Sequence, residues 1–217
     1  MPPLSVARVL VLPSVLVAVF LLLTWQVMAD GWLIGLDERM SRGLIHPDRF
    51  SELLSDLGNV QVAVPVLALA AGWAAWRARV AGAERWWLPT LGALVLMALV
   101  PLIVVPVKVF TDRPGTPAVP PATGYFPSGH TATALVAYGA VALLLLPWLR
   151  RATARRALVL CCGVAVAGVS YGLVRRGYHW PLDVVASWCL GAALLLCYVR
   201  VLDKCTRAYP GHGVSES

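Results

Sequence analysis

Charge is what this sequence has least of, with only 13% of its 217 residues being Asp, Glu, Lys or Arg. An ordinary soluble domain carries about 25%, so a water-facing globular protein is excluded. Acids are the scarcer sign, 11 against 18 basic residues, which leaves a formal net charge of +7. That excess does not form a nucleic-acid surface. The basic residues sit in short clusters between apolar runs, the pattern of loops at a membrane face, and no nucleic-acid partner is expected. Cysteine signals are lacking as well. The five cysteines (Cys161, Cys162, Cys189, Cys197, Cys205) are odd in number, show no CxxC spacing and lie in or just beyond apolar runs. They read as small apolar fillers, with neither a disulfide framework nor a zinc site. Internal repeats, low-complexity tracts and a composition shift are absent, so one membrane-embedded domain over 1–217 is expected.

Hydrophobicity takes the place of charge: 59% of residues are hydrophobic and the mean hydropathy is +0.74. The apolar runs predict an all-α integral membrane bundle of six transmembrane helices, at roughly 4–28, 60–76, 86–107, 129–149, 157–174 and 181–201. The first run ends in Val27-Met28-Ala29, a faint cleavage-site likeness, but its apolar core exceeds a signal peptide's and it reads as an uncleaved span. Between the first two spans, Leu33, Leu36, Met40 and Leu44, then Phe50, Leu53, Leu54 and Leu57, recur at helical spacing among charged residues. They predict short amphipathic helices at the membrane surface, broken near His46-Pro47. Trp86 and Trp87 anchor the third span, and the Pro- and Gly-rich stretch 109–126 predicts irregular chain.

Arginine sets the orientation. The stretches 77–85 and 150–156 carry seven arginines (77, 79, 85, 150, 151, 155, 156) and one acid, Glu84. By the positive-inside rule these loops and both termini are expected on the cytoplasmic side of the plasma (inner) membrane. The polar stretches 108–114, 126–130 and 175–183 then share the extracytoplasmic face. Lys108, Arg113, His130, Arg175, Arg176, His179 and Asp183 can converge there, and ionisable groups near membrane depth invite a functional reading.

The residue types agree with one chemistry. Ser128 is a good N-cap, Gly129 permits close approach of a ligand, and a helix N-terminus attracts an anion. Lysine and arginine bind phosphate oxygens, and two histidines can serve as nucleophile and general acid. Asp183, four residues after His179, can fix which imidazole nitrogen attacks. Two histidines and an aspartate also suit a metal, but the surplus of cations disfavours a dication, so neither metal nor cofactor is expected. For Arg175 and Arg176 singly, interfacial anchoring stands as the alternative.

Lys108-(x)4-Arg113-Pro114, Phe126-Pro127-Ser128-Gly129-His130 and His179-(x)3-Asp183 together resemble the type 2 phosphatidic acid phosphatase family, relatives of the vanadium haloperoxidases. The resemblance implies a membrane hydrolase acting on a lipid phosphate or diphosphate at the extracytoplasmic face. It implies His179 as nucleophile forming a phosphohistidine, Asp183 as its orienter and His130 as the acid for the leaving group, with no metal. Lys108, Ser128 and Gly129 would bind phosphate. The family's first-motif arginine would fall at 115, where this chain has Gly115-Thr116, and its third-motif Ser-Arg pair falls on Gly172-Leu173. Arg113 and one of Arg175 or Arg176 are expected to take over that clamp. The alternative is a lipid-phosphate-binding membrane protein that kept the fold with an altered clamp. The sequence carries no signal for an oligomeric state.

Overall fold

The computed structural model describes residues 6–207, with side chains for 11–205. The expected start of the first span at residue 4 and the last ten residues lie outside it. The order is α1 (Val6–Met28), α2 (Trp32–Leu44), α3 (Arg49–Asp56), α4 (Val60–Val80), α5 (Leu88–Thr111), α6 (Gly129–Leu145), a 3-10 turn (Leu146–Trp148), α7 (Ala152–Arg176) and α8 (Pro181–Arg207). No strand occurs among the described residues. Six of these helices are long and apolar enough to cross a bilayer. Their ends depart from the expected ones where charge is concerned. α4 extends to Val80 and α7 begins at Ala152, because interfacial arginines can stay helical while their heads snorkel to water. α5 continues to Thr111, which puts Lys108 inside its last turn rather than beyond it.

α6 is the central helix, packed against α4, α5, α7 and α8. Small residues let it sit there. Ala132, Ala134, Ala137 and Ala140 have no exposed surface, and membrane helices approach most closely over such side chains. α1 lies against α8. Between α4 and α5 lies a groove lined by Val60, Val64, Leu94, Met97, Pro101 and Val104. At the arginine-rich end, Arg77 lies over the Trp73 and Trp148 rings (5.6 and 5.3 Å) and Arg79 over Trp86 (5.5 Å), giving the cations an aromatic face at the bundle's rim.

α2 and α3 are amphipathic, as their spacing predicts, and their two faces are used in an unusual sense. Leu36, Met40, Leu44, Phe50 and Leu53 are exposed, whereas Asp37, Ser41, Ser51 and Ser55 are buried against the bundle. It is these small polar residues that turn inward, with the Ser51 and Ser55 hydroxyls bonded to the Asp48 and Glu52 carbonyls of their own segment, while the charged Glu38, Arg39, Arg42, Glu52 and Asp56 stay exposed. α3 is fixed by a capping box, Asp48 accepting from the Ser51 N–H (2.7 Å) while the Ser51 hydroxyl faces the Asp48 N–H (3.2 Å). It then lies on α7 at Gly172, where an added Cβ would come 2.5 Å from the Ser51 carbonyl oxygen and 2.7 Å from the Ser55 nitrogen. Glycine is required by that backbone-to-backbone approach.

Gly172→Ala is therefore expected to force α3 off α7. The overpacking cost is about 1–3 kcal/mol, read as a lower midpoint of thermal unfolding in detergent. Gly163→Ala on the same helix, where an added Cβ meets nothing within 4 Å, is expected to leave the midpoint unchanged.

Candidate active site

The polar end of the bundle is assembled by three helix ends and one loop. Ser128 caps α6, its Oγ accepting from the Thr131 N–H at 3.3 Å. Its own N–H donates to the Asp183 carbonyl (3.1 Å), and the Ser187 hydroxyl stands 2.8 Å from the Ser128 and Asp183 carbonyl oxygens. The start of α6 is thereby tied to the first turns of α8. α7 ends at Gly177, which takes the left-handed conformation (φ 75°) that glycine accepts without strain and turns the chain toward His179. Thr116 of the 112–128 loop hydrogen-bonds the Gly177 carbonyl and holds that turn against the loop.

His179 and Asp183 form the pair that their spacing suggests. Nδ1 of His179 lies 3.0 Å from Oδ2 of Asp183, and the same oxygen accepts the Trp180 N–H at 3.1 Å. Asp183 is fully buried and His179 6% exposed. The bond at Nδ1 leaves Nε2 as the imidazole nitrogen available to a bound group. The Tyr125 ring stands edge-on to that imidazole with centroids 5.7 Å apart.

A cavity of about 720 Å³ opens beside His179. Lys108, Gly124, Tyr125, Gly129, His130 and His179 line its polar end, and it continues along the apolar groove between α4 and α5. Lys108 Nζ donates to the Gly124 carbonyl at 2.7 Å, which draws the loop over the end of α5. His130 Nε2 is 2.8 Å from Asn59 Oδ1, and the Asn59 amide donates to Asp56 Oδ1 (3.0 Å). Asn59 and Asp56 thus set the ring's orientation. Around Gly129 there is room: an added Cβ would meet only Lys108 and Val104 side-chain atoms, both at 3.9 Å.

The structure brings together Lys108, Gly129, His130 and His179 around the cavity, with Ser128 and Asp183 buried directly behind. It places the three arginines otherwise than expected, and none lines the cavity. Arg175 Nε donates to Asp48 Oδ2 at 2.7 Å, at the N-cap of α3. The Asp48 carboxyl is drawn down to about 2 by the Ser51 N–H and by Arg175, so its stabilising effect holds above the ordinary carboxylate pKa and fades as the pH falls toward 2. Arg176 Nη2 donates to the Tyr178 hydroxyl (3.2 Å) and lies 3.7 Å from Glu52 Oε2. α7 does continue to Arg176, but α3 supplies acids that hold both side chains on its own side. Leu173, where the resemblance implies an arginine, is 1% exposed and packed in the core.

Arg113 is 5% exposed and bridges two carboxylates, Nη1 to Asp183 Oδ1 at 2.6 Å and Nη2 to Asp37 Oδ2 at 2.5 Å. Its guanidinium also lies over the Trp180 ring (5.4 Å). Asp37, the residue that sequence reasoning missed, comes from α2 and accepts the Leu182 N–H at 2.9 Å through its other oxygen. Burial pushes its carboxyl up, and Arg113 and that N–H pull it back. The signal that could have found it is an acid on the flank of the apolar stripe of α2, next to Leu33 and Leu44 on the helical wheel and one turn before the equally buried Ser41.

The PAP2 superfamily model matches residues 89–207. An undecaprenyl-diphosphatase of Sulfolobus acidocaldarius is 37% identical over 83 residues, 38% of this chain and 36% of that protein, so the match spans little more than a third of that relative. In fold, the chain is similar to a transmembrane PAP2-type phosphatidylglycerolphosphate phosphatase from Bacillus subtilis, with TM-score 0.75 and 23% identity over 90% of this chain and 98% of that one.

The buried triad has a direct consequence for stability. Arg113→Met leaves Asp37 and Asp183 as buried carboxylates without their cation, and is expected to destabilise the protein by about 3–5 kcal/mol. Thermal or denaturant unfolding in detergent measures it, and an unchanged midpoint would contradict the bridging geometry.

Proposed function

The chain belongs to the PAP2 superfamily, and from that premise we propose that it is a membrane phosphatase hydrolysing a lipid phosphate or diphosphate through a phosphohistidine, without metal. The observation that carries this reading is that both histidines, Lys108 and the Gly129 helix end line one cavity whose remaining walls are apolar and run between two spans. A phosphorylated headgroup fits the polar end while its chain lies in the groove. Nε2 of His179 attacks phosphorus and the P–O bond to the leaving lipid oxygen, or to the leaving phosphate of a diphosphate, breaks. His130 gives its proton to that oxygen. Water then attacks the phosphohistidine, inorganic phosphate departs, and the proton of the water returns to His130. Asp183 holds Nδ1–H and stabilises the positive charge that develops on the ring. Lys108 and the Gly129 N–H bind the non-bridging oxygens. Ser128, buried behind the cavity, supports the site by capping the helix end whose Gly129 N–H faces the phosphate.

A prenyl diphosphate is the substrate most in keeping with the relative at 37% identity, and phosphatidate and phosphatidylglycerophosphate share the needed chemistry. One observation favours a second reading, a lipid-phosphate binder with slow turnover: Lys108 is the single Lys or Arg lining the cavity among the described residues. The arginine asymmetry supports an extracytoplasmic site with cytoplasmic termini, and the packing of α1 through α8 on one another supports reading the chain as one membrane-embedded phosphatase domain.

Purified protein in detergent is expected to release phosphate from at least one member of a panel of these lipids, with EDTA present or absent. His179→Ala abolishes release. His130→Ala slows it, least where the leaving group is good. Inhibition by EDTA that a divalent ion reverses would contradict the metal-free reading, and turnover by His179→Ala would contradict the nucleophile.

For sidedness, a cysteine replacing exposed Pro120 and one replacing exposed Ala152, in a variant lacking the native cysteines, are expected to react with an impermeant thiol reagent from opposite faces. Position 120 is the one that reacts from outside. Labelling of both from one face would overturn the orientation.

A further inference from the structure

Behind the histidine pair, three charges are shut away from water and joined in series: Asp183, Arg113 and Asp37 are at most 5% exposed. A guanidinium bound to Asp183 alone would make a neutral pair and weaken the carboxylate's field at the His179 ring. Asp37 shares that guanidinium from the other side, so the three groups sum to one negative charge adjacent to the imidazole. We propose that Asp37 is a positioning residue for the reaction, acting through Arg113 to leave Asp183 its charge toward His179 and through the Leu182 N–H to fix the start of α8. The proposal rests on the reading of His179 as nucleophile and gives Arg113 a role other than phosphate clamp.

The surroundings of His179 show why a surplus negative charge is needed. Lys108 of α5 and His130 of α6 face the same cavity, and both repel positive charge developing on the ring during attack. Tyr125 of the loop offers an aromatic edge, and Asp183 of α8 is the acid in direct contact. On α7, Arg175 and Arg176 are held by Asp48 and Glu52 of α3. Glu38 and Arg42 of α2 line a different cavity with Trp180. Within this set Asp37 is the acid that neutralises Arg113 without touching the ring. Its second oxygen takes one of the four N–H groups that a helix leaves free at its start, two residues from the Trp180 N–H that Asp183 takes. Both carboxylates therefore hold the turn that carries His179.

The test is the pH dependence of kcat/KM, whose acid limb reports protonation of the free enzyme's nucleophile. Wild type, Asp37→Asn, and the double variant Asp37→Asn with Arg113→Gln are compared on one lipid phosphate in micelles. Removing the Asp37 charge leaves Arg113 to Asp183 alone, which lowers the imidazole's affinity for a proton. In Asp37→Asn the acid limb is expected to move to lower pH by about half a unit to one unit. kcat is expected to fall about tenfold or more with KM changed less than about threefold, since the residue touches no substrate. The double variant removes both charges, keeps the net negative charge on Asp183, and returns the limb to within about 0.3 unit of wild type.

A wild-type limb and kcat in Asp37→Asn would overturn the proposal. So would a double variant in which KM rises about tenfold at unchanged kcat, the mark of a lost phosphate ligand. If Asp37→Asn alone fails to fold, the double variant decides by its limb and its KM. Turnover by His179→Ala would remove the underlying reading, whereas an inactive His179→Ala beside a wild-type-like Asp37→Asn removes this proposal alone.

Discussion

The Arg113 guanidinium, buried between Asp37 and Asp183, is the constraint on which the polar end of the molecule depends. Each of its partners belongs to a different helix, and each partner's second oxygen takes a backbone N–H at the start of α8. Removing the cation would strand two carboxylates, and removing either acid would leave the cation half-paired. Such a group is costly to bury unless every hydrogen-bonding position is filled. Here the filled positions also fix the loop, since Tyr125 N–H donates to the Arg113 carbonyl and Trp180 Nε1 to that of Pro114. The loop that closes the cavity, the helix that carries Asp183 and the interfacial helix α2 are thus one unit.

The inward-facing polar sides of α2 and α3 follow from the same constraint. In an aqueous setting their exposed Leu, Met and Phe residues would turn inward. At a bilayer boundary those side chains have lipid to face, so Asp37 can turn inward to Arg113 while Ser51 and Ser55 pack on Gly172 of α7. The site is therefore built from two chemically opposite surroundings. An apolar groove lies between α4 and α5, and a hydrogen-bonded cap of short helices and loop holds the charges.

The six spans and the existence of the two amphipathic helices were legible in the sequence, because run length and periodicity are local properties. So was the pairing of His179 with Asp183, since four residues across a helix start bring them to one face. The destinations of the arginines were not legible. Arg113 meets an acid 76 residues earlier and Arg175 one 127 residues earlier, and no periodic signal encodes such contacts. Gly172 was visible as a departure from the family motif, but its meaning depends on α3 lying on it. Where the resemblance implies an arginine, this chain has packed a helix and buried Leu173. Asn59, which holds His130, escaped notice because a lone Asn before an apolar run reads equally well as a helix cap.

On the proposed reading, His179 carries the phosphoryl group during turnover. Rapid quenching of the protein with a lipid phosphate labelled in its phosphate, followed by mapping of the modified peptide under alkaline conditions, tests it most directly. The expected result is an acid-labile, alkali-stable phosphate on His179 that appears before free phosphate and is retained longer in His130→Ala, which lacks the base for the attacking water. Label on another residue, or steady release of phosphate with no labelled protein at any quench time, would contradict it.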